Sequence, residues 1–207
     1  FLDDARTQPE TYPDIFITSG FAKGVITINV LEADDVARTA AQAELRERYR
    51  TLLGHFRHES GPSFWSLLSE DEKAASLFAD LFGDANAEYR ASLDRYYEQG
   101  PPADWEQRYI SAYASSHPLE DWAETWSHYL LMHDALETAH AHRLIDTPPL
   151  SSALVERITQ WQTVSVGLNE MNQSVGREDA YPFVISAQVH NKLAYVDAMI
   201  SRLRTLQ

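Results

Sequence analysis

The feature that most restricts the fold of this 207-residue chain is a series of helix-type segments that begins after residue 32 and continues to the end. Apolar residues recur there at helical spacing, and breaks such as Gly100-Pro101-Pro102 separate the segments. Before them lie two β-branched runs, Ile15–Thr18 and Val25–Val30, which predict two short strands in a hairpin-like arrangement. The sequence therefore predicts a mainly α, α+β fold, with a small N-terminal sheet packed on a helical bundle. We expect one domain over 1–207, with strands in 1–32 and helices in 33–207.

Capping signals set the predicted helix boundaries. Ser69 with Glu72 three residues later predicts a capping box, and His117-Pro118 predicts the start of a long helix that reaches about Arg143. Gly83 is a plausible C-terminal glycine for the helix that Ser69 would open. The predicted helical segments are 33–48, 49–68, 69–83, 84–98, 104–115, 117–143, 151–175 and 186–204.

Composition excludes several classes of function. The net charge of −14 argues against a nucleic-acid partner, because phosphate binding needs a basic face. The chain has no cysteine, so a metal would need His and carboxylate ligands, and a reducing, cytoplasmic location is predicted. No apolar run reaches the roughly 18 residues of a membrane span, so no membrane partner is predicted.

One motif on the 49–68 segment points to a metal. An HExxH helix places two histidines four residues apart on one face to bind zinc, and its Glu activates the attacking water. Here His58 and Glu59 match, but position 62 is proline. Proline offers no ligand atom and removes the amide that would bond to the His58 carbonyl, at a cost of ~3 kcal/mol in a helix interior. The preceding Gly61 can absorb part of that distortion.

A second candidate lies on the 117–143 helix. Glu120, Glu124 and His128 follow one another at four-residue spacing and therefore share a face. Taken alone, this stripe is more often a solvated face with a structural histidine. Together with His58 and Glu59 it favours a site.

Seven stretches of the chain carry a resemblance to known proteins: Tyr49–Glu59, Ser111–Ala114, His117–Trp126, Gly24–Asp34, Gly100–Trp105, Leu168–Asn172 and Tyr181–Phe183. In them the sequence resembles a bacterial family of zinc-binding metallopeptidases, gluzincin-like and formerly a domain of unknown function. The resemblance covers nearly the whole chain, and the matched strings are long. It implies a minigluzincin-like fold and a zinc cofactor.

The resemblance also implies roles for individual residues. His58 matches the first zinc histidine and Glu59 the general base. Glu120 is expected to bind the metal and Glu124 to support a ligand histidine, with the reverse order left open. Val25–Val30 would be the edge strand along which a peptide or protein partner lies by β-augmentation.

The departures from the family pattern lie at the site itself. The second zinc histidine falls on Pro62, an aromatic that usually follows it is Ser63, and a histidine expected before the Val25 strand is Phe21. Zinc binding is therefore expected to be weakened. His55, His117 and His128 are the alternative ligands or supporting residues that the sequence offers.

Three functions remain open on the sequence. The leading one is a metallopeptidase-family protein that is weakly active or inactive as a peptidase. The alternatives are a non-enzymatic pseudopeptidase module that binds peptides, and an active hydrolase with a rearranged metal site.

Overall fold

The computed structural model describes residues 2–3, 19–29, 33–34 and 51–205. Within these ranges the chain is mainly helical, with a small sheet near the start. This confirms the predicted mainly α, α+β class. The predicted strand at 15–18 and most of the predicted 33–48 helix lie outside the described residues.

The sheet is built on a β-hairpin. Strand β2, Gly20–Ala22, pairs antiparallel with strand β3, Val25–Asn29, through a two-residue turn. Both turn residues have positive φ, 50° at Lys23 and 80° at Gly24, as a type I′ hairpin turn requires. The predicted strand at 25–30 is thus β3, but its hairpin partner is 20–22, because Gly24 permits the tight turn.

A third, two-residue strand lies on the other side of β3. Strand β1, Leu2–Asp3, runs parallel to β3 and pairs with it at Ile28 and Asn29, which gives the order β1-β3-β2. The sequence predicted β3 as an edge strand, but in the described sheet it is the central strand, because β1 and β2 pair with it on opposite sides. Both hairpin strands contact the helix that carries His58. The sheet therefore packs on the helical part of the chain, beside the candidate site.

The helical part consists of α-helices joined by short 3₁₀ turns. None of these described helices combines the length and the apolar character that crossing a membrane requires. Their bounds are α1 Leu52–Leu68, α2 Glu72–Phe82, α3 Tyr89–Gln99, α4 Trp105–Arg108, α5 Pro118–Ala141, α6 Leu154–Ser174 and α7 Ala187–Thr205, with 3₁₀ turns at Tyr113–Ser116 and Pro149–Ser151.

The predicted 104–115 helix is wrong, because only Trp105–Arg108 is α-helical there and a 3₁₀ turn follows at Tyr113–Ser116. Helices α2, α3 and α6 begin three to five residues later than predicted. Helix α2 begins at Glu72 and is capped by Asp71, whose carboxylate accepts from the Ala74 amide at 2.8 Å, so Ser69 is not its cap. Helix α3 begins at Tyr89 because the Glu88 carboxylate accepts from the Ala91 amide at 2.5 Å. In both cases the capping acceptor is the carboxylate of the residue immediately before the helix.

Helix α5 is the central element of the core. It contacts α1, α2, α6 and α7, and buried residues occur on most of its circumference. Its Trp122 is fully buried, with ring centroids 5.9 Å from Phe82 and 5.8 Å from Tyr195. Because α5 is fixed on nearly all sides, the acidic residues in its first turns have a well-defined position.

Candidate active site

Helices α1 and α5 approach closely at Gly61, where a side chain would have little room. A Cβ atom built on Gly61 would lie 3.1 Å from the Cα atom of Ala123 and 3.4 Å from Trp126. Two indole groups fasten the crossing: Trp122 Nε1 donates to the Gly61 carbonyl at 2.8 Å, and Trp126 Nε1 donates to Ser60 Oγ at 2.9 Å. This close approach brings the His58 turn of α1 against the first turns of α5.

His58 lies between two carboxylates of α5. Its Nδ1 atom is 2.8 Å from Glu124 Oε1, and its Nε2 atom is 3.1 Å from Glu120 Oε2. The Glu124 contact is a hydrogen bond. The Glu120 contact is close but not aligned as one, and Oε2 is buried without a hydrogen-bond partner in the described residues.

Each carboxylate is held by a second group that the sequence did not identify. Ser111 Oγ donates to Glu124 Oε2 at 2.6 Å, and the Tyr89 hydroxyl donates to Glu120 Oε1 at 2.5 Å. The Ser111 hydroxyl also accepts from the Ala114 amide, which fixes it at the start of a 3₁₀ turn. Ser111 lies in one of the stretches that carry the family resemblance, whereas no sequence signal marked Tyr89.

Burial and mutual contact shift the pKa values of this group. Burial disfavours the imidazolium of His58, but the adjacent carboxylates of Glu120 and Glu124 outweigh it and raise the pKa of His58 well above its usual value. Burial likewise opposes ionisation of Glu124, yet His58 lowers the pKa of that carboxyl to about 2. The pKa of Glu120 is lowered for the same reason, against its burial. The three side chains therefore favour an imidazolium between two carboxylates.

Glu59 differs from the other two acids. It is 8% exposed, and burial raises its pKa to about 6, with the charge of Glu120 adding to the shift and that of His58 opposing it. A carboxyl group with a pKa near neutrality can exchange a proton at physiological pH. The pKa of Glu59 is thus shifted upward, whereas the pKa values of Glu120 and Glu124 are shifted downward.

Two of the alternative histidines have other partners. His117 Nε2 lies 3.0 Å from the Ala87 carbonyl and its Nδ1 accepts from the Leu119 amide at 3.1 Å. His128 is buried, with Nδ1 2.9 Å from the Tyr181 hydroxyl, and burial lowers its pKa to about 4. His55 lies one turn before His58 on α1 and is partly buried.

The residues present supply two donors that suit one zinc ion. Two ligands of a tetrahedral zinc, each at about 2.0–2.2 Å, lie roughly 3.3 Å apart, and the observed separation of His58 Nε2 and Glu120 Oε2 is 3.1 Å. A catalytic zinc takes three protein ligands, and position 62, one turn after His58 on the same helix, is a proline, which has no ligand atom. Within the described ranges, no group of three or more His, Asp or Glu side chains could hold a metal. The set does not fit a catalytic zinc site.

Comparison with known proteins finds mycobacterial relatives. Curated relatives include the uncharacterized proteins Rv2568c of Mycobacterium tuberculosis and Mb2598c of Mycobacterium bovis, each 43% identical over 195 residues. The alignment covers 90% of this chain and 57% of each relative, so the chain spans little more than half their length. No solved structure matches.

A family model covers almost all of the chain. The model described as "Putative zinc-binding metallo-peptidase" matches residues 2–199, a range that includes His58, Glu59, Glu120 and Glu124. The helical fold and the pairing of α1 with α5 lie within that match. This chain belongs to that zinc-binding metallopeptidase family.

Proposed function

We propose that this chain is a metallopeptidase-family protein whose zinc site lacks one protein ligand, so that its peptidase activity is weak or absent. The observation that carries the proposal is the pairing of His58 Nε2 with Glu120 Oε2 at 3.1 Å while the next turn of the same helix presents Pro62. Two donors remain where a catalytic zinc needs three.

The proposed roles follow from the contacts of each acid. Glu120 is the second metal donor, since its Oε2 has no other partner in the described residues and faces Nε2 of His58. Glu124 orients His58, because it accepts at Nδ1 and is itself held by Ser111. A carboxylate on the distal nitrogen of a metal histidine is the usual supporting arrangement. Glu59 is the general base that a complete site would use.

The expected loss of zinc affinity follows from the missing ligand. Loss of a supporting residue outside the ligand shell weakens metal binding by about 10–100-fold. Loss of a ligand itself removes a direct bond, so we expect zinc affinity more than ~100-fold below that of a complete site of this geometry. At that affinity the chain would be isolated without stoichiometric zinc.

Replacing Pro62 tests the proposal, with a matched control at the same position. Pro62→His adds an imidazole one turn after His58 on a helix that is already continuous, so zinc affinity is expected to rise more than ~100-fold. Pro62→Ala restores the backbone amide without adding a ligand and should leave zinc affinity unchanged. Zinc content after purification without chelator, and competition with a chromogenic chelator, measure both.

Two outcomes would contradict the proposal. One is stoichiometric zinc in the unaltered chain. The other is equal zinc affinity in Pro62→His and Pro62→Ala, which would mean that position 62 does not face the His58–Glu120 pair.

The role of Glu59 is tested on the repaired site. If Pro62→His hydrolyses a peptide library, adding Glu59→Gln should abolish hydrolysis and leave zinc bound, because the base is lost and the ligands are kept. Glu170→Gln, at an exposed position of α6, is the matched control. Hydrolysis that survives Glu59→Gln would refute the assignment of Glu59 as the base.

The proposed partner is a peptide or protein segment that adds along strand β3. The hairpin that contains β3 contacts α1, the helix of His58, so a strand added there would pass close to the site. Among the described residues β2 lies on one side of β3, and β1 pairs with the other side at Ile28 and Asn29, so the added segment is proposed to lie beside Val25–Thr27 on the β1 side. Peptide binding without cleavage, by the chelator-treated chain and by the chain supplied with zinc, would support a binding module. Cleavage that appears with zinc and disappears with chelator would contradict the loss of metal-dependent activity.

A further inference from the structure

The Glu120 carboxylate is held from two sides. Its Oε1 atom accepts from the Tyr89 hydroxyl at 2.5 Å, and its Oε2 atom faces His58 Nε2 at 3.1 Å. The Glu120 side chain is almost fully buried, but a glutamate has several rotatable bonds and needs a contact to fix its carboxylate plane. Tyr89 provides that contact, because it holds one oxygen and thereby directs the other.

Tyr89 lies on a helix with little burial of its own. Ser92 is the one buried residue of α3, and Tyr89 is 43% exposed at its first position. The packing of α3 alone therefore does not explain why the Tyr89 hydroxyl stays on Glu120. A contact outside α3 must contribute.

His117 supplies that contact. A carbonyl can only accept and an amide can only donate, so His117 carries its proton on Nε2, which donates to Ala87, and accepts on Nδ1 from Leu119. The Tyr89 ring meets the His117 ring at 68°, with centroids 5.0 Å apart. One imidazole thus joins the segment that leads into α3 to the start of α5, three residues before Glu120.

We infer that Tyr89 is a positioning residue for Glu120, and that His117 acts on Glu120 through Tyr89. The orientation of the Glu120 carboxylate, which faces His58 Nε2, is therefore determined by a residue of α3. That helix carries no metal-ligand signal in its sequence. The inference rests on the proposed pairing of Glu120 with His58, and it does not depend on zinc binding or on hydrolysis.

Nitrogen NMR of His58 in the chelator-treated, histidine-labelled chain tests the inference. Tyr89→Phe removes one hydroxyl and should shift the Nε2 resonance of His58, while Nδ1, which is bonded to Glu124, stays nearly unchanged. Tyr195→Phe is the matched control, since it removes a hydroxyl bonded to the Ala74 carbonyl at 2.9 Å elsewhere in the core. The control should shift neither resonance. An unchanged Nε2 resonance in Tyr89→Phe would overturn the inference.

His117→Asn tests the second step. Asparagine is a good N-cap residue and can still accept from the Leu119 amide, but it is too short to reach the Ala87 carbonyl. It should shift His58 Nε2 as Tyr89→Phe does, and the double variant should add nothing, because both changes act through one contact. Additive shifts would refute the indirect role of His117. Tyr89→Phe decides the first step even if His117→Asn does not fold.

The NMR test of Tyr89 and the zinc test of the proposed function can fail independently of each other. Stoichiometric zinc in the unaltered chain would contradict the two-donor proposal, yet it would leave these measurements on chelated samples unchanged. Conversely, a Tyr89→Phe variant without a Nε2 shift would leave the zinc measurements on Pro62→His intact.

Discussion

Replacing Gly61 with alanine tests whether the close crossing of α1 and α5 builds the site. In an unobstructed helix interior, Gly→Ala stabilises by about 0.5–1 kcal/mol. At Gly61 the added Cβ would lie 3.1 Å from the Ala123 backbone and 3.4 Å from Trp126, where neither neighbour is the end of a flexible chain. Overpacking of this kind costs about 1–3 kcal/mol, and a weakened Trp122–Gly61 hydrogen bond adds to the cost.

The net expectation is a loss of about 1–3 kcal/mol in the free energy of unfolding. Gly167 is the matched control, because it lies inside helix α6 and an added Cβ would meet nothing within 4 Å. Gly167→Ala should raise the free energy of unfolding by about 0.5–1 kcal/mol. The control is therefore expected to be more stable than the unaltered chain, and Gly61→Ala less stable. Urea unfolding measures both.

A structural consequence accompanies the loss of stability. If α1 moves away from α5, the bond between His58 Nδ1 and Glu124 lengthens, and the Nδ1 resonance of His58 should shift in Gly61→Ala but not in Gly167→Ala. A Gly61→Ala variant as stable as the unaltered chain, with an unchanged Nδ1 resonance, would show that the crossing does not depend on glycine at this position.

Two further predictions concern buried ionisable groups. Lys192→Met leaves Asp121 buried without the lysine that pairs with it, so the free energy of unfolding should fall by about 3–5 kcal/mol. Replacing both residues by apolar ones should lower it by less. Urea unfolding of the two variants measures both effects. The folded-state pKa of His128, about 4, lies below its unfolded value of about 6.5. The unfolded chain therefore takes up the proton first, and stability is lost as pH falls through that window. His128→Phe should lower the slope of stability against pH there by up to about 1.4 kcal/mol per pH unit; an unchanged slope would contradict it.

The sequence predicted the fold class because local signals and tertiary structure agree over most of the chain. Helical spacing and Pro or Gly breaks located the long helices, and the β-branched run at 25–29 is strand β3. The errors lie at helix starts and in the predicted 104–115 helix, of which the structure forms only Trp105–Arg108 and a 3₁₀ turn at Tyr113–Ser116. At α2 the first turn of the helix follows Asp71, whose carboxylate caps it. Ser69 lies before that turn and does not cap it.

The candidate site was predictable in part for a similar reason. His58 and the Glu120–Glu124 spacing are visible in sequence, since four-residue spacing places two groups on one face. Tyr89 was not predictable, because its contact with Glu120 depends on how the segment before α3 crosses the start of α5. His117 is a candidate ligand on the sequence, but its place before Pro118 at the start of a predicted helix is also that of an N-cap, and the structure gives it this role.

Adjacent positions of α1 carry separate requirements of the site. Gly61 permits the approach that places His58 between Glu120 and Glu124, while position 62 decides whether a third donor is present. The approach is held by the indole groups of Trp122 and Trp126, and neither bond involves Pro62. On the proposed site, the proline leaves one ligand position empty, while the hydrogen bonds that join α1 to α5 are present. For that reason a single substitution at position 62 is a fair test: if zinc does not bind Pro62→His, the fault lies in the assignment of the donors and not in a collapsed site.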